Sequence, residues 1–276
     1  LAYYNFDEDA AFTYDPLHFV QNDAVPETNN VWVADSTYEG TMNGDITTGV
    51  TGILGNAWDF DGAGDYVTIT STDFVGFGSQ SGWTNPDSFS FSVWLYPHNA
   101  GKSIAGIYDS NNSAEKVWIM EYNNNQTIQF TVTQGSSNTG LTSTGGLTNN
   151  AWNHVVVMYK GGGAGECKIY INGSQAGSTT CPSYLNDNDA EQFVIGSRDQ
   201  GISAEFDGLI DQALFYSGKY LSDSDVQTLY NSGAGDSTPE PFGTCDGSVG
   251  QSCLMAQYDF EETSNPLENQ IGGTYQ

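Results

Sequence analysis

Ser88-Phe89-Ser90-Phe91-Ser92-Val93-Trp94-Leu95-Tyr96 alternates small polar with large apolar side chains. A period of two puts Phe89, Phe91, Val93 and Leu95 on one face of an extended strand, where a helix would scatter them around its axis. The alternation predicts a half-buried strand. Val117–Tyr122, Thr127–Thr133, Trp152–Tyr159, Lys168–Ile171, Phe193–Ile195 and Leu209–Tyr216 read the same way. Gly, Asn, Asp and Ser clusters separate them, as turns require. Many short strands with short connections predict an all-β chain, a two-sheet antiparallel jelly-roll sandwich.

Ile171-Asn172-Gly173-Ser174 is a hairpin signal, because Asn-Gly suits a type I′ turn. One short C-terminal helix is predicted at Ser222–Tyr230. Ser222 is its N-cap, Asp225 completes a capping box, and Val226, Leu229 and Tyr230 form its apolar stripe. Residues 234–242 are rich in Gly, Ser, Thr and Pro and read as a linker. The chain then restarts. Met255-Ala256-Gln257-Tyr258-Asp259-Phe260-Glu261-Glu262 mirrors Leu1-Ala2-Tyr3-Tyr4-Asn5-Phe6-Asp7-Glu8 at a constant offset of 254, with Ala, Tyr, Phe and Glu recurring. The expected organisation is a jelly-roll domain at 1–233, a linker at 234–253, and at 254–276 the first strand of a second repeat or an exchanged assembly strand.

The formal net charge is −28, from 34 Asp+Glu against 6 Lys+Arg. Nucleic acid and anionic membranes would be repelled, so neither is expected as a partner, and cations are the natural counter-partners. No stretch approaches the ~18 apolar residues of a membrane span. Leu1 is preceded by no basic or apolar leader, so a processed or excised chain is expected. Four cysteines fall as two local pairs, Cys167/Cys181 and Cys245/Cys253, without zinc-finger spacing. Three connectivities exist, and local pairing is the one expected. Bridges closing such loops stabilise by about 2–3 kcal/mol each. Asn111, Asn125 and Asn172 are N-x-[ST] glycosylation acceptors. Together these features point to an extracellular or cell-surface location.

Several segments carry a resemblance. They are Gly55-Asn56-Ala57-Trp58-Asp59-Phe60-Asp61-Gly62-Ala63-Gly64-Asp65-Tyr66-Val67, the strand Phe89–Leu95, Trp152-Asn153-His154-Val155, Ile169-Tyr170-Ile171-Asn172-Gly173, Phe206-Asp207-Gly208-Leu209-Ile210-Asp211-Gln212-Ala213, and the helix Leu221–Tyr230. In this order they resemble the LamG-like jelly-roll domains, relatives of concanavalin A-like lectins and glucanases, laminin G domains and pentraxins. The match runs over roughly residues 2–232, with Gln212 where the family usually has Glu and Trp-Asn-His for its Trp-His-His. The resemblance implies two stacked antiparallel sheets. It also implies a calcium ion held between the loop after the first strand and the penultimate motif, at positions matching Asp35 and Asp211, with Asp23 and Asn43 as weaker candidates. Calcium takes six to eight hard oxygen ligands, which an acidic chain supplies readily.

Trp58, Phe60, Trp94 and Trp152 are expected as core anchors. Trp32 and Trp118 are less committed. Trp83, in Ser81-Gly82-Trp83-Thr84-Asn85-Pro86, has loop composition and is the candidate ligand-stacking residue. His154 is expected as a strand residue, not a base, and His18 and His98 as isolated turn residues. Asp61-Gly62 and Gly64-Asp65 read as turn signals. Catalysis is not expected. The related glucanases set their carboxylates as E-x-D-x-(x)-E on one strand, and Glu205-Phe206-Asp207-Gly208-Leu209-Ile210-Asp211 lacks the final Glu. The expected function is a non-catalytic module binding a glycan or a cell-surface protein and stabilised by calcium. The alternative is a structural or adhesive subunit that assembles with further copies of itself through its C-terminal strand. A glycoside hydrolase is the remaining reading.

Overall fold

Phe89, Phe91, Val93 and Leu95 point inward together and are fully buried, and the whole sandwich is organised around that row. The computed structural model of the chain describes residues 40–69, 88–109, 116–186, 192–198, 204–237, 254–258 and 260. All lie in one compact unit, Thr37–Ile271. One sheet runs, in spatial order, β1 (Gly40–Asn43), β4 (Tyr66–Ile69), β13 (Phe193–Ile195), β6 (Lys102–Ile107), β7 (Trp118–Tyr122), β8 (Thr127–Gln134) and β9 (Ser137–Gly146). The other runs β12 (Ser174–Cys181), β11 (Gly165–Ile171), β10 (Asn153–Lys160), β5 (Ser88–Pro97), β14 (Asp207–Ser217), β3 (Asn56–Asp61) and β2 (Thr47–Thr51). A last strand, β15 (Leu254–Tyr258), pairs with β14. Every described strand pair is antiparallel, as the jelly-roll reading requires.

The core between the sheets is aromatic. Phe89 stacks on Phe215 at 5.6 Å, and Trp118 meets Phe91 and Phe193 at 5.7 Å each. Trp118 is therefore a central anchor, and Trp58 is fully buried too. The Asn172-Gly173 turn forms with both residues at positive φ, 50° and 75°. Cys167 and Cys181 are disulfide-bonded across the β11–β12 hairpin, as local pairing predicts. Cys245 and Cys253 lie outside the described residues.

Strand β5 departs from the half-buried expectation. Ser88, Ser90 and Ser92 are as buried as the residues between them. Their face is covered by α1 (Asp223–Tyr230) and the segment leading into it. Ser90 Oγ donates to the Lys219 carbonyl at 2.8 Å and accepts the Leu221 N–H at 3.2 Å. A serine is small enough to let that segment approach and supplies both hydrogen bonds. Helix α1 begins at the predicted capping box, with Ser222 and Asp225 bonding each other's backbone N–H. Val226 and Leu229 pack on Val156, Met158, Tyr170, Leu214 and Tyr216, a second apolar cluster on the outer face of this sheet.

The tail strand also differs from expectation. Residues 254–276 are expected as the first strand of a second repeat or an exchanged assembly strand, covered from outside this sandwich. In the structure β15 lies against β14 of its own chain, and Tyr258 and Phe260 enter the core.

Candidate functional site

The helix covers only part of the outer face of the β5 sheet. Its last aromatic, Tyr230, stacks on Trp94 at 5.9 Å and lies 6.1 Å from His154. Trp94 is paired across the strands with both Asp211 and His154, so this row marks the edge of the covered half. Trp94 is buried here, beneath the helix and not in the inter-sheet core.

His154 is 1% exposed, and its Nε2 shares a 2.8 Å hydrogen bond with Ser92 Oγ. Burial depresses its pKa from 6.5 to about 3, so it stays neutral. A strand role suits it better than a base. In the same row Asp211 is fully buried, and its Oδ2 accepts the N–H groups of Ile53 and Leu54 at 2.8 and 3.1 Å. It pins the loop between β2 and β3. Asp35, its expected calcium partner, lies outside the described residues, as do Asp23, Trp32, Trp83, His18 and Asn111. Asn43 is in β1 and spends its amide on Thr41 and Thr68.

Two residues further along each strand the outer face lies beyond the apolar cluster of helix α1; Leu209 is buried there, and Asp59, Tyr96 and Trp152 are half-buried. Register places Asp59, Leu209 and Tyr96 in one row across β3, β14 and β5. Trp152 extends it, its ring edge-on to Tyr96 at 5.6 Å. Trp152 is half-buried on this outer face, not the core anchor expected from sequence. The next row holds Asp61 opposite Asp207. Asp207 Oδ1 shares a 3.1 Å hydrogen bond with His98 Nδ1, and its Oδ2 accepts from the Asn99 amide. The Asp207 carbonyl also accepts the His98 N–H at 2.9 Å. His98, read from sequence as isolated, is thus held by Asp207 and lies 6.0 Å from the Tyr96 ring. Asp59 has a raised pKa: burial is the main cause, His98 opposes it, and the charges of Asp207 and Asp61 add to it.

Beyond Asp61 the carboxylates converge. One oxygen each of Asp45, Asp61 and Asp65 lies within 4.8 Å of the others. Asp45 sits in the turn from β1 to β2; Asp61 and Asp65 bracket the turn from β3 to β4. Buried Asp65 ties the two turns together, its Oδ1 accepting the Asp45 N–H at 2.9 Å and its Oδ2 the Asp61 N–H at 3.0 Å. Gly44 makes the approach feasible, since a Cβ there would stand 2.3 Å from Asp65 Oδ1. Burial raises the Asp65 pKa, the two N–H groups lower it, and the charges of Asp61 and Asp45 raise it. Three hard oxygen donors of like charge suit a divalent hard cation in donor chemistry.

The sequence presented Asp61 and Asp65 as turn punctuation and did not single out Asp45. The missed signal was acidic residues flanking glycines in two turns that the fold joins. Of the described glycosylation acceptors, Asn125 is exposed in a turn. Asn172 uses its Oδ1 to accept the His154 N–H at 2.9 Å, and its neighbour Gly173 is bonded by Gln227 of α1.

Residues 61–227 match the family pattern described as the concanavalin A-like lectin/glucanases superfamily. Domain 4 of AbnA, an extracellular arabinanase from Geobacillus stearothermophilus solved with arabinotriose, superposes with a TM-score of 0.51 at 17% identity, covering 71% of this chain and 88% of that one. Botulinum neurotoxin type C, whose cell entry depends on interaction with two ganglioside molecules, gives 0.52 at 18% identity over 72% of this chain and 47% of the other. The binding domain of botulinum neurotoxin DC, solved with rat synaptotagmin II, gives 0.52 at 15% identity over 72% and 48%. This chain thus spans about half the length of the toxin chains. No curated protein matches it in sequence. Among the described residues no helix is long and apolar enough to cross a membrane.

Proposed function

The chain belongs to the concanavalin A-like lectin/glucanases superfamily, and on that premise we propose that it is a non-catalytic binding module of a secreted or cell-surface protein, taking a glycan on the half of its outer sheet face that lies beyond helix α1. The observation that carries this reading is the ledge of Tyr96 and Trp152 beside Asp59, Asp207, His98 and Asn99. Aromatic faces cover the apolar side of a sugar ring, while carboxylates and an amide meet its hydroxyls. Fold-mates that carry arabinotriose or depend on gangliosides make a glycan a reasonable ligand class, by analogy of fold. A protein ligand, as synaptotagmin is for the toxin domain, is the other outcome of the same assay.

In this reading Asp45, Asp61 and Asp65 hold calcium at the end of the ledge, and the cation offsets part of the charge of −28. Binding to the folded state alone would stabilise it by about 2.7 kcal/mol at a hundredfold excess over Kd. A glycan array followed by calorimetry tests the proposal. Trp152→Ala is expected to weaken glycan binding about tenfold, ~1.4 kcal/mol, without changing Tm by more than a few degrees. Equal binding by the variant would place the ligand elsewhere.

A further inference from the structure

Strand β14 has two partners along one edge. Asp207–Ile210 pair with β3 and Ala213–Tyr216 pair with β15, while β5 runs along the opposite edge. Strand β15 therefore fills a slot beyond the end of β3. The slot asks for little: backbone to pair, and two aromatic side chains at alternate positions to close the core. Tyr258 and Phe260 supply them, 1% and 0% exposed, with Phe260 edge-on to Trp58 at 5.4 Å. Phe260 fits at a cost, since its φ is +59°, a left-handed conformation that a bulky residue rarely adopts.

The same chain carries a second segment with the same pattern. Ala2, Tyr4, Phe6 and Glu8 stand where Ala256, Tyr258, Phe260 and Glu262 stand, 254 residues on. Residues 1–8 lie outside the described region, so the comparison is one of sequence. Backbone pairing is indifferent to which chain supplies a strand, and the two aromatic positions set the register. We propose that the β14 slot is a strand-exchange site, and that its second occupant is the Leu1–Glu8 segment of another copy of this chain. Exchange would link copies head to tail, a protein–protein contact independent of the glycan ledge. Because each copy carries a large negative charge, salt should promote it by screening.

The test uses the full chain. Tyr258→Ser/Phe260→Ser vacates the slot, and this variant is expected to shift from monomer to dimer and larger species as concentration rises, read by light scattering. Adding Tyr4→Ser/Phe6→Ser is expected to return it to monomer. A synthetic Leu1–Glu8 peptide is expected to bind the four-substitution variant and raise its Tm, and the peptide carrying Tyr4→Ser and Phe6→Ser is not. A two-substitution variant that stays monomeric overturns the proposal. So does a Leu1–Glu8 peptide that leaves the Tm of the folded four-substitution variant unmoved. Should that variant fail to fold, the mass of the two-substitution variant alone decides.

Discussion

Stability should fall as pH drops from 7 to 5, and His154 should account for a defined part of the fall. The ring is buried between Ser92, Trp94 and Tyr230, and its pKa is depressed from 6.5 to about 3 because burial penalises the imidazolium. Nothing described accepts a proton from Nδ1, although Asp236 lines the same small cavity. Below pH 6.5 the unfolded chain takes a proton that the folded chain refuses. The stabilisation is complete above 6.5 and drains away as pH falls through the window from 6.5 toward 3. One pKa unit is 1.36 kcal/mol, so integrating from pH 7 to pH 5 gives a loss of about 2 kcal/mol from this residue. Carboxylates titrate nearby in pH, and Asp59 and Asp65, whose pKa values are raised, push the other way. The assay therefore compares urea unfolding of wild type and His154→Gln at pH 7, 6 and 5. The variant is less stable at pH 7, having lost ring packing, but the gap should close by about 2 kcal/mol at pH 5. A gap constant with pH would refute the assignment of a buried neutral imidazole.

Other outcomes follow from the same structure. Cys181→Ser opens the loop of sequence separation 14 and should cost about 3 kcal/mol by denaturant unfolding, with no further loss on adding reductant at this pair. Calcium should raise Tm, and Asp45→Asn/Asp61→Asn should abolish that rise; persistence of the rise in the variant would move the ion to another site, Asp35 with Asp211 among them. Ser90→Val places a branched side chain beneath the Lys219–Leu221 segment and removes the acceptor for the Leu221 N–H, so unfolding measurements should show a loss of about 1–3 kcal/mol. Asp211→Ala leaves the Ile53 and Leu54 amides without their acceptor, and hydrogen exchange at those two positions should accelerate before that of the β5 core.

How much of this was legible depended on whether the information was local. Strand identity was: Phe193–Ile195 falls on the predicted residues, and the capping box at Ser222 and the Asn172-Gly173 turn form as read. Each is decided within a few residues by periodicity, a cap or a turn preference. What escaped was set by pairings across the sheet. The burial of Ser90 depends on a segment 129 residues away. Trp152 looked like a core anchor because its size and neighbours suit one, but it stands a row beyond the helix, edge-on to Tyr96 and half-buried. Asp61 and Asp65 read correctly as turn residues; that their turn is stitched to the one carrying Asp45 in a single carboxylate cluster appears only once β1 and β4 are paired.

The bulge at Gln212 connects these observations. On β14 the pairing with β5 runs Ile210 to Leu95 and Asp211 to Trp94, then jumps to Leu214 opposite Ser92. The inserted residue, Gln212 at φ +48°, shifts the strand's parity by one, as a β-bulge does. Before it, Ile210 faces the core while Asp207, Leu209 and Asp211 face outward. After it, Ala213 and Phe215 face the core while Leu214 and Tyr216 meet the helix. Without the extra residue, either Ile210 or Phe215 would be turned out of the core. The same kink falls between the stretch of β14 that pairs with β3 and the stretch that receives β15. One inserted residue thus separates the half of the face that carries Asp207, Leu209 and Asp211 from the apolar half covered by helix α1, and it falls between the stretches of β14 that pair with β3 and with β15.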